Sequence, residues 1–133
     1  MGLNHRYAGR LRWFLGLIVL LSPTVASADE TAGEFFDQQV APLLVRRCLE
    51  CHNGFDLKGK LDLSNREGAL RGGESGPAIH ADRPTDSLVW ERVSKKEMPP
   101  EKPLLASEQQ ILKKWFQQGA HWGTNPINVF RFT

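Results

Sequence analysis

Cysteine is almost missing from this chain: Cys48 and Cys51 are its two copies, separated by Leu49 and Glu50. A disulfide framework is therefore excluded, and a single bridge between these two would close too small a loop to constrain much of the unfolded chain. Long apolar runs are missing as well. The run at residues 13–21 has nine residues, against the roughly 20 that a membrane-spanning helix needs. No internal repeat, low-complexity stretch or linker divides the chain, so one small domain is expected.

The N-terminus carries Arg6, Arg10 and Arg12, then the apolar run, then Pro23 and Ala26-Ser27-Ala28. A positive region, a short apolar core and a small-residue site are the parts of a secretory signal peptide, here residues 1–28 with cleavage after Ala28. No adjacent arginine pair marks a folded-export signal, so the general secretory route is expected. Periplasmic or otherwise exported localisation follows, with membrane attachment only if the signal stays uncleaved. Removing it leaves 105 of the 133 residues and, with three arginines gone and no acid, takes the formal net charge from +2 to −1. The basic character belongs to the signal, and nucleic acid is not an expected partner.

What is present is Cys48-Leu49-Glu50-Cys51-His52. The C-x-x-C-H pattern reads as a covalent haem c attachment site. Haem has two vinyl groups that each take up a thiol, so the chain must offer two sulfurs close together with an imidazole beside them. A helical turn would put positions i, i+3 and i+4 on one face, with His52 as proximal iron ligand. A thioredoxin-like thiol pair would sit at a helix start in a βαβ context, and no strand pattern precedes Cys48. A zinc site would need a fourth ligand from His80 or His121, and adjacent Cys51 and His52 are awkward partners for one tetrahedral ion.

Apolar residues Phe36, Val40, Leu43 and Leu44 recur with helical spacing and lead to Cys48, while Pro42 predicts a kink or restart. Asn53-Gly54 turns the chain into a glycine-rich loop running to Gly76, with a short helix predicted at residues 64–70, capped by Ser64 with Glu67 as its reciprocal partner. The stretch from Gly72 to Pro77 lacks the Gly-Lys-Ser/Thr ending of a phosphate loop. Glycines there would also let backbone approach a flat cofactor. Pro84 opens a helix bearing Leu88, Val89 and Val93, which ends before Met98-Pro99-Pro100. Ser107 is the expected cap of a last helix, with Gln110 reciprocal, Ile111, Leu112, Trp115 and Phe116 as its apolar stripe, and Gly119 at its end.

With the signal removed, Met98 is the only methionine. Its soft thioether on a proline-stiffened segment makes it the expected second axial ligand, with His80 and His121 as competitors. At this point the chain resembles the planctomycete-type cytochrome c domain. The resemblance rests on the Phe35-Phe36 lead-in to Leu44, Cys48 to His52, Gly72-Gly73-Glu74-Ser75-Gly76-Pro77-Ala78-Ile79, Ser87-Leu88, Glu97-Met98-Pro99-Pro100 and residues 115–122. It implies an all-α, cytochrome c-like domain wrapped around one haem with a long glycine-rich loop, exported in bacteria. It also implies that the Gly76-Pro77 step supplies a carbonyl to the proximal imidazole, with Pro77 and Ile79 among the cofactor-binding residues. Family members usually carry this domain at the front of a longer chain, so a redox partner protein or further domains are the expected partners.

The domain is therefore expected over residues 29–123, with 124–133 a tail or the start of a linker. The expected function is one-electron transfer, not enzymatic catalysis, through one covalent haem c held by His52 and Met98. The alternatives are a haem module with an open iron position for a ligand or peroxide, and a non-haem zinc or thiol module.

Overall fold

The computed structural model describes residues 1–2 and 28–132. The expected signal peptide, residues 1–28, lies almost wholly outside the described residues. Five α-helices follow in order: α1 Ala28–Phe35, α2 Ala41–Arg47, α3 Arg66–Arg71, α4 Leu88–Ser94 and α5 Ala106–Gln117. Among the described residues there is no strand; extended segments meet only in the isolated bridges His52 to Leu57 and Gly73 to Gly76. The fold is all-α. No helix of the described residues is long and apolar enough to cross a membrane.

Pro42 does force a restart. A π-helical turn, Phe36–Val40, separates α1 from α2, with the Ala41 N–H bonded to the Phe36 carbonyl five residues back. Pro42 then falls in the first turn of α2, where its missing N–H matters little. The wide turn keeps Phe36 and Val40 fully buried, in line with Leu43 and Leu44.

The core is built by α5 against this π turn. Trp115 stacks near Phe36, with ring centroids 5.6 Å apart, and Trp122 lies 4.5 Å from Phe36. The buried indole Nε1–H of Trp115 donates to the His121 carbonyl at 2.7 Å, which satisfies its one polar group and brings the chain beyond α5 back onto the core. Trp90, on α4, is half-buried against Phe116.

Three helix starts differ from the sequence reading. The cap of α3 is Asn65, whose side chain accepts from the Gly68 N–H at 2.7 Å; Ser64 is instead held by Asp62, which accepts from both its N–H and its hydroxyl. Helix α5 begins at Ala106 after Leu105, and Glu108, not Gln110, supplies the reciprocal bond by accepting from the Leu105 N–H at 2.9 Å. Buried Leu104 anchors the chain one step ahead of that start. Pro84 opens only a 3₁₀ turn, Pro84–Asp86, and the extended, fully buried Ser87 separates it from α4. The Ser87 hydroxyl accepts from the His80 N–H at 3.0 Å, which accounts for its burial.

Of residues 124–133, expected as a tail or linker, some of the described ones touch the domain, although most are exposed. The Thr124 N–H and hydroxyl donate to the Asp37 carboxylate, Asn125 bonds Arg66 and Glu67, and Ile127 is buried.

Candidate functional site

The α-helical ladder of α2 ends at Arg47, and Cys48 departs from it with φ −126° and ψ −42°. One further turn follows: the Cys48 carbonyl accepts from the N–H of Cys51 at 3.2 Å and of His52 at 3.0 Å. The motif is thus a single turn hung from the end of α2, and that turn is enough to bring Cys48, Cys51 and His52 to the wall of one cavity. The cavity is about 200 Å³ and opens to solvent.

A second wall is double-layered. Lys58, Gly59 and Leu61 form one strip, and Gly73 to Gly76 lie against it. The Glu74 N–H donates to the Gly59 carbonyl at 2.8 Å, and a Cβ at Gly73 would stand 2.2 Å from that same oxygen. A Cβ at Gly72 would meet the Gly76 carbonyl oxygen at 1.9 Å. The expectation was that these glycines let backbone approach a cofactor. The structure shows Gly72 and Gly73 letting backbone approach backbone; Gly59, Gly73 and Gly76 border the cavity, and a Cβ at Gly76 would meet nothing within 4 Å.

The third wall is apolar, from Leu88, Val89 and Val93 of α4 together with Ala78. The Val89 N–H donates to the Ala78 carbonyl at 3.1 Å, joining α4 to the end of the glycine loop. Met98, Pro99 and Pro100 close the rim, and Met98 is 41 % exposed. The Arg92 carbonyl accepts from the N–H groups of Glu97 and Met98, and the Arg92 guanidinium pairs with the Glu97 carboxylate. Met98 is thus fastened on its upstream side to the end of α4.

Of the residues named from sequence, Cys48, Cys51, His52 and Met98 converge on this cavity. Pro77 and Ile79 do not line it; their neighbours Gly76 and Ala78 do, because Ile79 turns into the hydrophobic core. His80 and His121 are not on its walls, and His121 borders a separate cleft between α1 and α5.

The carbonyl that meets the imidazole is also a different one. His52 Nδ1 lies 2.9 Å from the Lys58 carbonyl oxygen, and no hydrogen bond joins it to Pro77. A carbonyl only accepts, so Nδ1 carries the proton and Nε2 keeps its lone pair in the neutral ring. This is the tautomer an iron ligand needs.

The two cysteines sit in unlike surroundings. Burial pushes the Cys48 thiol up to about 12, against the opposing effect of the Arg47 guanidinium. Among the described residues no three His, Cys, Asp or Glu side chains are grouped to hold a metal ion. Two adjacent thiols, one imidazole and one thioether around a mainly apolar cavity instead suit a flat macrocycle with its own metal.

Residues 48–102 match the family model described as planctomycete cytochrome C. This segment is a planctomycete-type cytochrome c domain. No curated protein and no solved structure matches the chain. The matched segment of the cytochrome c domain begins at Cys48 and reaches past Pro100, so it spans every wall of the cavity except Arg47. The match supports a haem-binding, electron-transfer role for this segment. Sequence reasoning missed Arg47, Lys58 and Arg92, all on the cavity wall. Arg47 had one visible signal, its position directly before Cys48; Lys58 acts through its ammonium, which donates to the Cys51 sulfur at 3.4 Å, and through a backbone carbonyl that no residue type announces.

Proposed function

We propose that the protein is an exported one-electron carrier with one haem c bound through Cys48 and Cys51, with His52 and Met98 as axial ligands and a protein redox partner. The observation that carries this reading is the convergence of those four side chains on one cavity from positions up to 50 residues apart in sequence.

Each cysteine would add its S–H across one vinyl double bond: a C–S bond forms, the hydrogen goes to the other vinyl carbon, and no electron is gained or lost. The turn from Cys48 to His52 sets the spacing of the two sulfurs and the imidazole. The Lys58 carbonyl fixes the ring orientation and the protonated nitrogen of His52, which raises the basicity of Nε2. Leu88, Val89 and Val93 exclude water, and a drier pocket with a thioether ligand favours the reduced state. A bound haem would supply the chemistry, gain and loss of one electron, with His52 and Met98 as the residues that would hold its iron.

Retention of haem through denaturation and acid-acetone extraction, together with the mass of the exported chain, tests attachment and cleavage after Ala28 at once. Cys48→Ala/Cys51→Ala is expected to lose that retention. A wild-type protein that releases its haem quantitatively overturns the reading. The exposure of Met98 supports a second reading, an iron with an open sixth position; a weak long-wavelength sulfur–iron band is present in the first case and absent in the second.

A further inference from the structure

Arg47 joins parts of the chain that sequence keeps far apart. Its guanidinium Nη2 donates to the Lys102 carbonyl at 2.7 Å and to the Pro103 carbonyl at 3.1 Å. Its Nε stands 3.5 Å from the Glu108 carboxylate in the first turn of α5. The side chain is 14 % exposed, and it also borders the cavity. A charged group so nearly buried is held where it is by its partners, because its desolvation must be offset by them.

The position of those partners gives Arg47 its meaning. On its own element it is the last residue of α2, directly before Cys48, so it moves with the cysteine turn. Its carbonyl partners begin four residues after Met98, a stretch that at full extension reaches about 14 Å. The upstream side of Met98 is already fastened by Arg92. Without Arg47, residues 99–103, between Met98 and the buried anchor Leu104, have only Pro99, Pro100 and Pro103 to stiffen them, and prolines fix local shape without attaching a loop to anything.

We propose that Arg47 is a positioning residue: it clamps the segment after Met98 to the cysteine turn and so holds the thioether over the iron. The guanidinium is suited to this, since Nη2 meets both carbonyls while Nε, buried and without a hydrogen bond of its own, faces the Glu108 carboxylate at 3.5 Å as an ion pair. Loss of the clamp lets the Met98 segment open while the haem stays attached. The inference rests on the assignment of Met98 as a ligand.

The test compares Arg47→Gln, Arg47→Lys and Met98→Ala in the haem-loaded protein, reading the sulfur–iron band and the affinity of the ferric form for added imidazole. In wild type, imidazole must displace Met98. Arg47→Gln is expected to weaken the band and tighten imidazole binding about tenfold, the equilibrium factor of one charge-assisted hydrogen bond. Arg47→Lys, which keeps the charge but loses the fork, should fall between. In a Met98→Ala background, Arg47→Gln should add nothing further, because the two changes act on one event. Unchanged band and affinity in folded Arg47→Gln overturn the proposal. If that variant does not fold, unchanged values in Arg47→Lys overturn it equally. If Met98→Ala itself leaves both readouts at wild-type values, the ligand assignment has failed, and the role of Arg47 falls with it.

Discussion

Gly72 closes α3 with φ 74° and ψ −159°, a region occupied essentially by glycine alone and costing other residues about 1–3 kcal/mol. Sterics add to this. In Gly72→Ala the new Cβ would lie 1.9 Å from the Gly76 carbonyl oxygen and 2.5 Å from the Pro77 Cα. Both are main-chain atoms, so relief requires the whole 72–77 loop to shift, along with the cavity wall it forms. Gly76 provides the control. Its φ of 101° is also left to glycine, yet nothing lies within 4 Å of where a Cβ would be, so Gly76→Ala carries the conformational cost alone, about 1–3 kcal/mol. Gly72→Ala is therefore expected to lose at least about 3 kcal/mol. For a domain near 100 residues this corresponds to roughly 12–24 °C in melting temperature. Urea unfolding of the haem-loaded protein, followed by far-UV circular dichroism, measures both variants. A Gly72→Ala protein that loses no more stability than Gly76→Ala would refute the argument that a backbone collision makes glycine necessary there.

Phe36→Ala should cost about 3–5 kcal/mol in the same unfolding assay, since the ring is fully buried between Trp115 and Trp122; a loss under 1 kcal/mol would mean the aromatic cluster is not the core. Asn65→Ala removes the cap of α3 and should cost about 1 kcal/mol, whereas Ser64→Ala leaves that cap in place; the order of the two midpoints checks which residue caps. Met98→Ala should keep covalent haem, lower the reduction potential and admit carbon monoxide to the ferrous iron, and an unchanged potential by redox titration would redirect the search for the ligand. The Asn125 amide, hydrogen-bonded to Glu67, holds that carboxyl below the usual carboxylate range. A depressed folded value means the contribution is present above the unfolded pKa and is lost as pH falls through the folded one. Asn125→Ala should return Glu67 towards its ordinary value in an NMR titration, and an unmoved midpoint would assign the depression to another cause.

The sequence by itself determined the local chemistry. Cys48, Cys51 and His52 are specified by their spacing along the chain, and Met98 by being the one methionine after the initiator Met1, so these could be named without coordinates. Helical content was legible for the same reason: the periodicity of Phe36, Val40 and Leu44, and of Leu112, Trp115 and Phe116, is a property of neighbours within a few residues. Pro42 announced a break, although the form it took, a π turn and a restart, depended on how Phe36 and Val40 are buried in the core that α5 builds. Tertiary structure decided whatever depended on a partner distant in sequence or invisible in it. Asn65 caps α3 because Asp62 has already engaged Ser64. His52 is met by the carbonyl of Lys58 and not of Pro77, since every residue carries the same carbonyl and only the path of the chain selects one. Ile79 faces the core while Ala78 faces the cavity, a difference set by how the glycine loop turns. Arg47 reads in sequence as one more basic residue at a helix end; only the fold brings Lys102, Pro103 and Glu108 to it, because the chain between has first to pass around the cavity and return.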